Sequence, residues 1–376
     1  MESIVSFLQE PKICLQNNDS PIIPFWKQKI IPKGTKIALI GIPDERFYRT
    51  SGKINYDTTE AIRKALSTLI FNQRKKIIDL GDLVPGESPR DTIFGLSELL
   101  LILLKNQLTP LIFGGGEELI YGIYEAIQYR KTQIKHTHID FKIDKAIGTE
   151  ISPDNIIQHI SREFPYIHER HFLGTQAYYS PERDFSKDGH TLELKCRLGE
   201  IHQNLLDTEP IFRDSTFTTI DMDAVRSSDY PANNLQMPNG LYAEEICQLS
   251  WFSGISETSK VFGVFNYTNN NDPSGQGAIL IAQILWHYID GFYSRYHDPK
   301  PSIKTKENFI LNHVCSSLLK SNLIFYKSQK TGRIWLLIEN KRKKTTTFIP
   351  VSKTEYSSMV NDQIPEKIFF YILENQ

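Results

Sequence analysis

Three short acidic stretches have residue types and spacing that could do chemistry. They are Gly114-Gly115-Gly116-Glu117-Glu118, Asp140-Phe141-Lys142-Ile143-Asp144 and Asp221-Met222-Asp223. Each lies at the end of a short apolar run that reads as a β-strand. Side chains alternate faces along a strand, so an Asp-x-Asp pair sends both carboxylates the same way. If the three strands are neighbours in a parallel sheet, five or six carboxylates converge at one edge. Such a group needs a cation between its members, or it must share protons. The glycine triplet could cradle a phosphate, but two acids follow it and no Lys, Ser or Thr, which argues against an anion. Any one Asp-x-Asp alone is more simply a solvated loop acid; only the three together carry information.

The elements that must position these residues alternate along the chain. Strands are expected at 37–40, 77–80, 110–113, 135–140, 171–174, 217–221 and 261–266, and helices from Asp57 and over 92–106, 118–130, 153–163, 241–252 and 276–293. Asp57, with Glu60 three residues later, has the spacing of a reciprocal helix cap. Strand–helix alternation over most of the chain implies a three-layer α/β/α fold around a mostly parallel sheet of roughly eight strands. In such sheets the chemistry collects in loops at the carboxyl ends of strands. Residues 1–35, with Pro11, Pro21, Pro24 and Pro32, read as an irregular arm, and 36–299 as the α/β domain. Residues 300–376 read as a small α+β extension: an amphipathic helix at 309–319, a hairpin turning at Lys330-Thr331-Gly332, a strand at 345–350 and a final helix.

Lys plus Arg number 43 and Asp plus Glu 44 in 376 residues, for a formal charge of −1. Charged residues make up 23% and hydrophobic ones 40%. That excludes a disordered chain and a supercharged nucleic-acid binder. The near-neutrality conceals an acidic body and a basic tail. Cys14, Cys196, Cys247 and Cys315 form no CxxC pair and read as free thiols. The N-terminus lacks the pattern of a signal peptide and no segment has the length of a membrane span, so a soluble cytoplasmic protein is expected.

Other candidates have plainer readings. His168-Glu169-Arg170-His171 is not the HExxH of a zinc helix. His136 and His138 share one face of their strand and read as satisfied core or interface histidines. Lys341-Arg342-Lys343-Lys344 reads as a solvated turn rather than a nucleic-acid site. Trp335, Phe348, Phe369 and Phe370 read as packing for the tail.

In order and spacing the acidic stretches resemble the ureohydrolases, the family of arginase, agmatinase and formimidoylglutamase, whose usual motifs are GGDHS, DAHxD and SxDxD. Further matches are Gly41-Ile42-Pro43, Asp79-Leu80-Gly81-Asp82, Pro238-Asn239-Gly240-Leu241 with Glu244-Glu245, and Val264-Phe265-Asn266-Tyr267. The resemblance spans roughly residues 36–295. It is nearest to a divergent bacterial formimidoylglutamase-like branch with a Lys inside the Asp pair, a triple-glycine loop, Ala224-Val225-Arg226 after the DxD, and a C-terminal extension. It implies an arginase-like fold, subunit association, and a site where two metal ions activate water against the carbon of a cationic amidine.

The departures bear on that implication. Glu117 stands where the family has a His ligand, and Lys142 stands where it has a second. Val264 occupies the place of the guanidinium-binding Glu. His159 is the nearest counterpart of a catalytic His, and reads as a surface helix residue. A protonated Lys cannot ligate a metal. The Lys142 ammonium is therefore expected to replace the second ion by pairing with Asp140, Asp221 or Asp223. One ion position could survive with Glu117, Asp140, Asp144 and Asp221, beside Asp223. All-oxygen ligation there would favour Mg²⁺, Mn²⁺ or Ca²⁺ over Zn²⁺, with one Mn²⁺ or Mg²⁺, or none, as the expected cofactor. The other reading has no metal, with Lys142 and Arg226 neutralising the acids as structural ion pairs. The expected function is an arginase-fold protein impaired as a ureohydrolase, with a binding or regulatory role. The alternative is a hydrolase of linear amidine C–N bonds using one metal. The expected partner is a small amidine-type ligand, with neither nucleic acid nor membrane.

Overall fold

The computed structural model describes the chain apart from residues 1, 14, 16–20, 48–51, 73–74, 130–132, 181–184, 189–190, 234, 341–344 and 375–376. Cys14, Arg130 at the end of one expected helix, and the basic run 341–344 thus lie outside the described residues.

The sheet is built from β1 (Ile37–Gly41), β2 (Ile77–Leu83), β3 (Thr109–Phe113), β4 (Ile134–Ile139), β5 (Ile167–Thr175), β6 (Thr191–Arg197), β7 (Phe217–Asp221) and β8 (Val261–Phe265). These strands are parallel and lie side by side in the order β2-β1-β3-β8-β7-β4-β5-β6. Their apolar runs are buried on both faces, as a helix-covered parallel sheet requires. One apolar cluster gathers Ile37, Leu39, Phe113, Ile220 and the helix Gln276–Tyr293; the other gathers Ile40, Ile112, Phe217 and the helix Pro89–Lys105. The three-layer, mostly parallel fold is therefore as expected.

Several local expectations are corrected. The strand β6 went unread, because its Glu193, Lys195 and Arg197 break the apolar pattern. The Glu193 charge is matched internally: it lies 2.7 Å from both Arg170 and Lys145. The proline-rich arm adds Leu8–Gln9 antiparallel and Ile22–Pro24 parallel to β2. The helix expected from Asp57 starts at Tyr56, with Asn55 before it. Glu60 does not close a reciprocal cap but accepts from the Lys12 peptide nitrogen of the arm at 2.5 Å.

The largest correction is in the tail, where the expected helix at 309–319 is a strand. β9 (Phe309–Ser316), β10 (Ser321–Ser328), β11 (Ile334–Asn340) and β12 (Thr345–Val351) form an antiparallel sheet in sequence order. Leu311, Val314 and Leu318 fit a helical period over so short a run. Pairing with β10, from Phe309 opposite Ser328 to Ser316 opposite Ser321, decides for a strand. The hairpin at Lys330-Thr331-Gly332 forms, with Gly332 at φ 72°. Two helices follow, Lys353–Val360 and Glu366–Glu374. The tail core of Phe325, Leu336, Ile349, Met359 and Ile368 extends onto Leu192 and Leu194 of β6. No helix among the described residues is long and apolar enough to cross a membrane.

Candidate metal centre at the strand ends

The acidic stretches meet at the carboxyl edge of the sheet. β7 lies directly beside β4, while β8 separates it from β3. The gap is bridged by the glycine loop. Gly114 and Gly115 take φ 86° and 72°, a region that side chains disfavour. A Cβ at Gly114 would lie 2.6 Å from the Ile42 carbonyl oxygen. The loop is held to β8 by Gly114 N donating to Val264 O and Asn266 N donating to Gly115 O. It delivers Glu117, on the short turn Glu117–Leu119, into the interior.

There Glu117 meets His138. Nε2 of His138 is 3.1 Å from Glu117 Oε1 and 3.9 Å from Asp140 Oδ2. All three residues are buried, and the three atoms lie within 4.8 Å of one another. None of the three has a hydrogen-bond partner. The rest of each group is already engaged. Asp140 Oδ1 accepts from Phe141 N at 2.6 Å, and His138 Nδ1 is 2.8 Å from the Thr219 hydroxyl. The reading of both strand histidines as satisfied core residues thus holds for His136 only. Its ring stacks on Phe217, with Nδ1 2.8 Å from Tyr124 Oη and Nε2 2.7 Å from Thr219 Oγ1. His138 is the candidate ligand that sequence reasoning did not single out. The available signal was its place two residues before Asp140, on the same strand face.

The remaining residues divide. Asp221 joins the acid cluster, but both its oxygens are taken: Oδ1 accepts from Asp223 N and Oδ2 from Asn266 Nδ2, each at 2.8 Å. Asp223 is buried next to it. Asp144 is buried and bound by Lys142, whose Nζ also lies 3.2 Å from Asp154. The expected pairing of Lys142 with Asp140, Asp221 or Asp223 is therefore replaced by Asp144 and Asp154. The loop turns back after Asp144: Ile157 N donates to Asp144 O and Ala146 N to Asp154 O, bringing Asp154 within reach. Arg226 does not neutralise the cluster. It pairs with Asp229 at 2.9 Å and lies over the Tyr242 ring. His159 is buried rather than on the surface, with Nδ1 3.5 Å from Glu163. Val264 is buried in the core and offers no charge to a guanidinium.

Burial pushes the Glu117 and Asp140 carboxyls well above the usual carboxylate range, and the charges of Asp144 and Asp221 add to this. Burial also raises Asp221 to about 6 and Glu118 to about 8. Burial opposes the charge of Lys142, yet Asp144, with Asp140 and Glu117 behind it, holds the ammonium above its ordinary value. Burial pushes His138 down to about 3, so its ring is neutral. The centre is thus one fixed cation and one neutral imidazole among carboxyls short of positive charge.

Residues 35–290 match the model of the arginase family. The formimidoylglutamase of Lysinibacillus sphaericus (strain C3-41) is 24% identical over 222 residues, 54% of this chain and 68% of that protein. The fold is similar to that of Bacillus subtilis formimidoylglutamase, with a TM-score of 0.63 at 19% identity over 78% of this chain and 98% of that one. Trypanosoma cruzi formiminoglutamase, solved with Mn²⁺, gives 0.61 at 17% over 69% and 94%. Proclavaminate amidino hydrolase from Streptomyces clavuligerus gives 0.58 at 19% over 70% and 93%. The residues present here do not fit a pair of ions, because the Lys142 ammonium, bound to Asp144 and Asp154, stands where a second imidazole ligand would be needed and repels a second dication. With its fold, its strand-end acids and the match over 35–290, the chain belongs to the arginase family.

Proposed function

We propose that this chain is an arginase-fold protein that no longer hydrolyses guanidines or amidines, and that it serves a binding or regulatory role. The observation that supports this reading is Lys142, whose ammonium holds Asp144 and Asp154. Hydrolysis of an amidine requires a water acidified by strong positive charge and free to reach the amidine carbon. A single ammonium, already committed to two carboxylates, is a weak substitute for a dication. Val264 removes the carboxylate that would hold a guanidinium. A small amidine-type cation is the ligand that the surplus of acid favours, bound without turnover.

A second reading is favoured by one specific observation. Glu117, His138 and Asp140 place three unpartnered buried atoms within 4.8 Å of one another. On that reading the chain is a hydrolase of linear amidine C–N bonds using one metal. One assay separates the two. Purified chain, with Mn²⁺ added, is incubated with N-formimidoylglutamate, agmatine and arginine, and released ammonia, formamide and urea are measured. No release above the protein-free control is expected. Sustained release, abolished by Asp140→Asn, would overturn the proposed role.

A further inference from the structure

We infer that Glu117, His138 and Asp140 form a single-ion site for a first-row transition dication, with His138 as its nitrogen ligand. This is not the ligand set of the family motifs, which draw imidazoles from the glycine loop and from inside the Asp pair. Here those two places hold Glu117 and Lys142, and the imidazole comes from two residues upstream of Asp140.

The geometry makes the case. Glu117 Oε1 and His138 Nε2 are 3.1 Å apart, close enough for a hydrogen bond, yet both are without one. The ring N–H direction therefore misses the carboxylate, and a proton on Nε2 would have no acceptor. With the proton on Nδ1 the arrangement closes. Nδ1–H donates to Thr219 Oγ1 at 2.8 Å, and the Thr219 hydroxyl donates to His136 Nε2 at 2.7 Å. His136 Nδ1–H then donates to Tyr124 Oη at 2.8 Å. This relay leaves His138 Nε2 with a free lone pair beside the two carboxylates, aimed past Glu117 Oε1 rather than at it. A ligating histidine characteristically gives its second N–H to such a partner, which fixes tautomer and ring orientation. Imidazole and carboxylate ligands lie about 2.0–2.2 Å from an ion. Atoms 3.1 and 3.9 Å apart can share one at that range.

The charge balance agrees. Lys142 is in contact with Asp144 and Asp154, and its single charge acts on Glu117 and Asp140 only from a distance, without a direct ion pair to either. A nitrogen ligand shifts the preference expected from oxygens alone: Mn²⁺ or Zn²⁺ suit this set, and Mg²⁺ does not.

Calorimetric titration of chelator-treated protein tests the site. One Zn²⁺ or Mn²⁺ per chain is expected, with Mg²⁺ weaker by at least about tenfold. Affinity should fall by at least about tenfold in His138→Ala and in Thr219→Val, and hold within about twofold in Asp223→Asn. The inference is overturned if no ion binds, or if His138→Ala binds as wild type while Asp223→Asn does not. Should His138→Ala fail to fold, Zn-edge X-ray absorption of the loaded wild-type chain decides. Scattering from one imidazole supports the site, and an oxygen-only shell removes it. Ion binding without turnover leaves the proposed function standing, so the two statements fail separately.

Discussion

Lys142 has the clearest consequence at the level of single residues. Its side chain is a quarter exposed while its partner Asp144 is buried, so the pair is stronger than a surface contact and weaker than a sealed one. Lys142→Met is expected to cost about 1–3 kcal/mol at neutral pH, measured by urea unfolding of the metal-free chain. The sign of the pH dependence follows from Asp144. Burial raises that carboxyl in the folded state even with Lys142 beside it. A group raised on folding favours the folded state at low pH and loses that contribution as pH rises through its folded value. Removing Lys142 raises it further, so the deficit should be small near pH 4 and grow toward pH 8. An equal deficit at both ends would show that the lysine acts by packing alone. The Lys142 pairing also marks the limit of what the residues disclosed. That Lys142 would neutralise part of the cluster was legible from its place in the Asp pair. Which carboxylates it would choose depended on the loop at 145–155 folding back to present Asp154, and nothing in the local pattern encodes that return. His138 was obscured for the opposite reason. A histidine on an apolar strand has a common explanation, and His136, two residues earlier, satisfies it.

Among the elements, the last helix is tied to the body by a buried polar contact. Tyr371 donates its hydroxyl to Glu169 of β5, which also holds His171 and lies 3.1 Å from Lys135. Burial opposes the charge of Glu169, but Lys135, His171 and Tyr371 together hold its carboxyl well below the ordinary range. A group depressed on folding contributes stability above its unfolded value and loses it as pH falls. Glu169 should therefore support the fold at neutral pH and progressively less below about pH 4.5. Tyr371→Phe removes one hydrogen bond to a buried charge and should cost about 1.5–3 kcal/mol at pH 7, read by urea unfolding. A loss near zero would mean that the helix is docked by its apolar face alone. The parallel strands were legible because burial on both faces makes them unbroken apolar runs. β6 was hidden by charges that find partners only in three dimensions, and β9 by a period too short to separate helix from strand.

The whole molecule is two sheets with one shared seam. Leu192 and Leu194 on β6 belong to the core of the tail, not to either main cluster of the body. The extension thus covers the edge region of the large sheet as well as standing on its own strands. A chain ending at residue 299 would bare those leucines and leave Glu169 without Tyr371. It is expected to self-associate or precipitate where the full chain stays dispersed, as size-exclusion chromatography would read. A well-behaved truncated monomer would show the seam to be dispensable.

The strand order has a consequence for how the molecule is made. β3 and β4, whose ends bear Glu117 and Asp140, are held apart by β8 and β7, which come later in the chain. The two strands at the middle of the sheet are the last of its strands in the chain, and the later of them is Val261–Phe265. Glu117 and His138 therefore emerge from the ribosome well before the wedge that sets their separation. Until that wedge is seated, the glycine loop lacks the Val264 carbonyl and the Asn266 amide that hold it. A nascent chain stalled short of residue 261 should bind no ion, and capture of the ion would time the completion of the sheet.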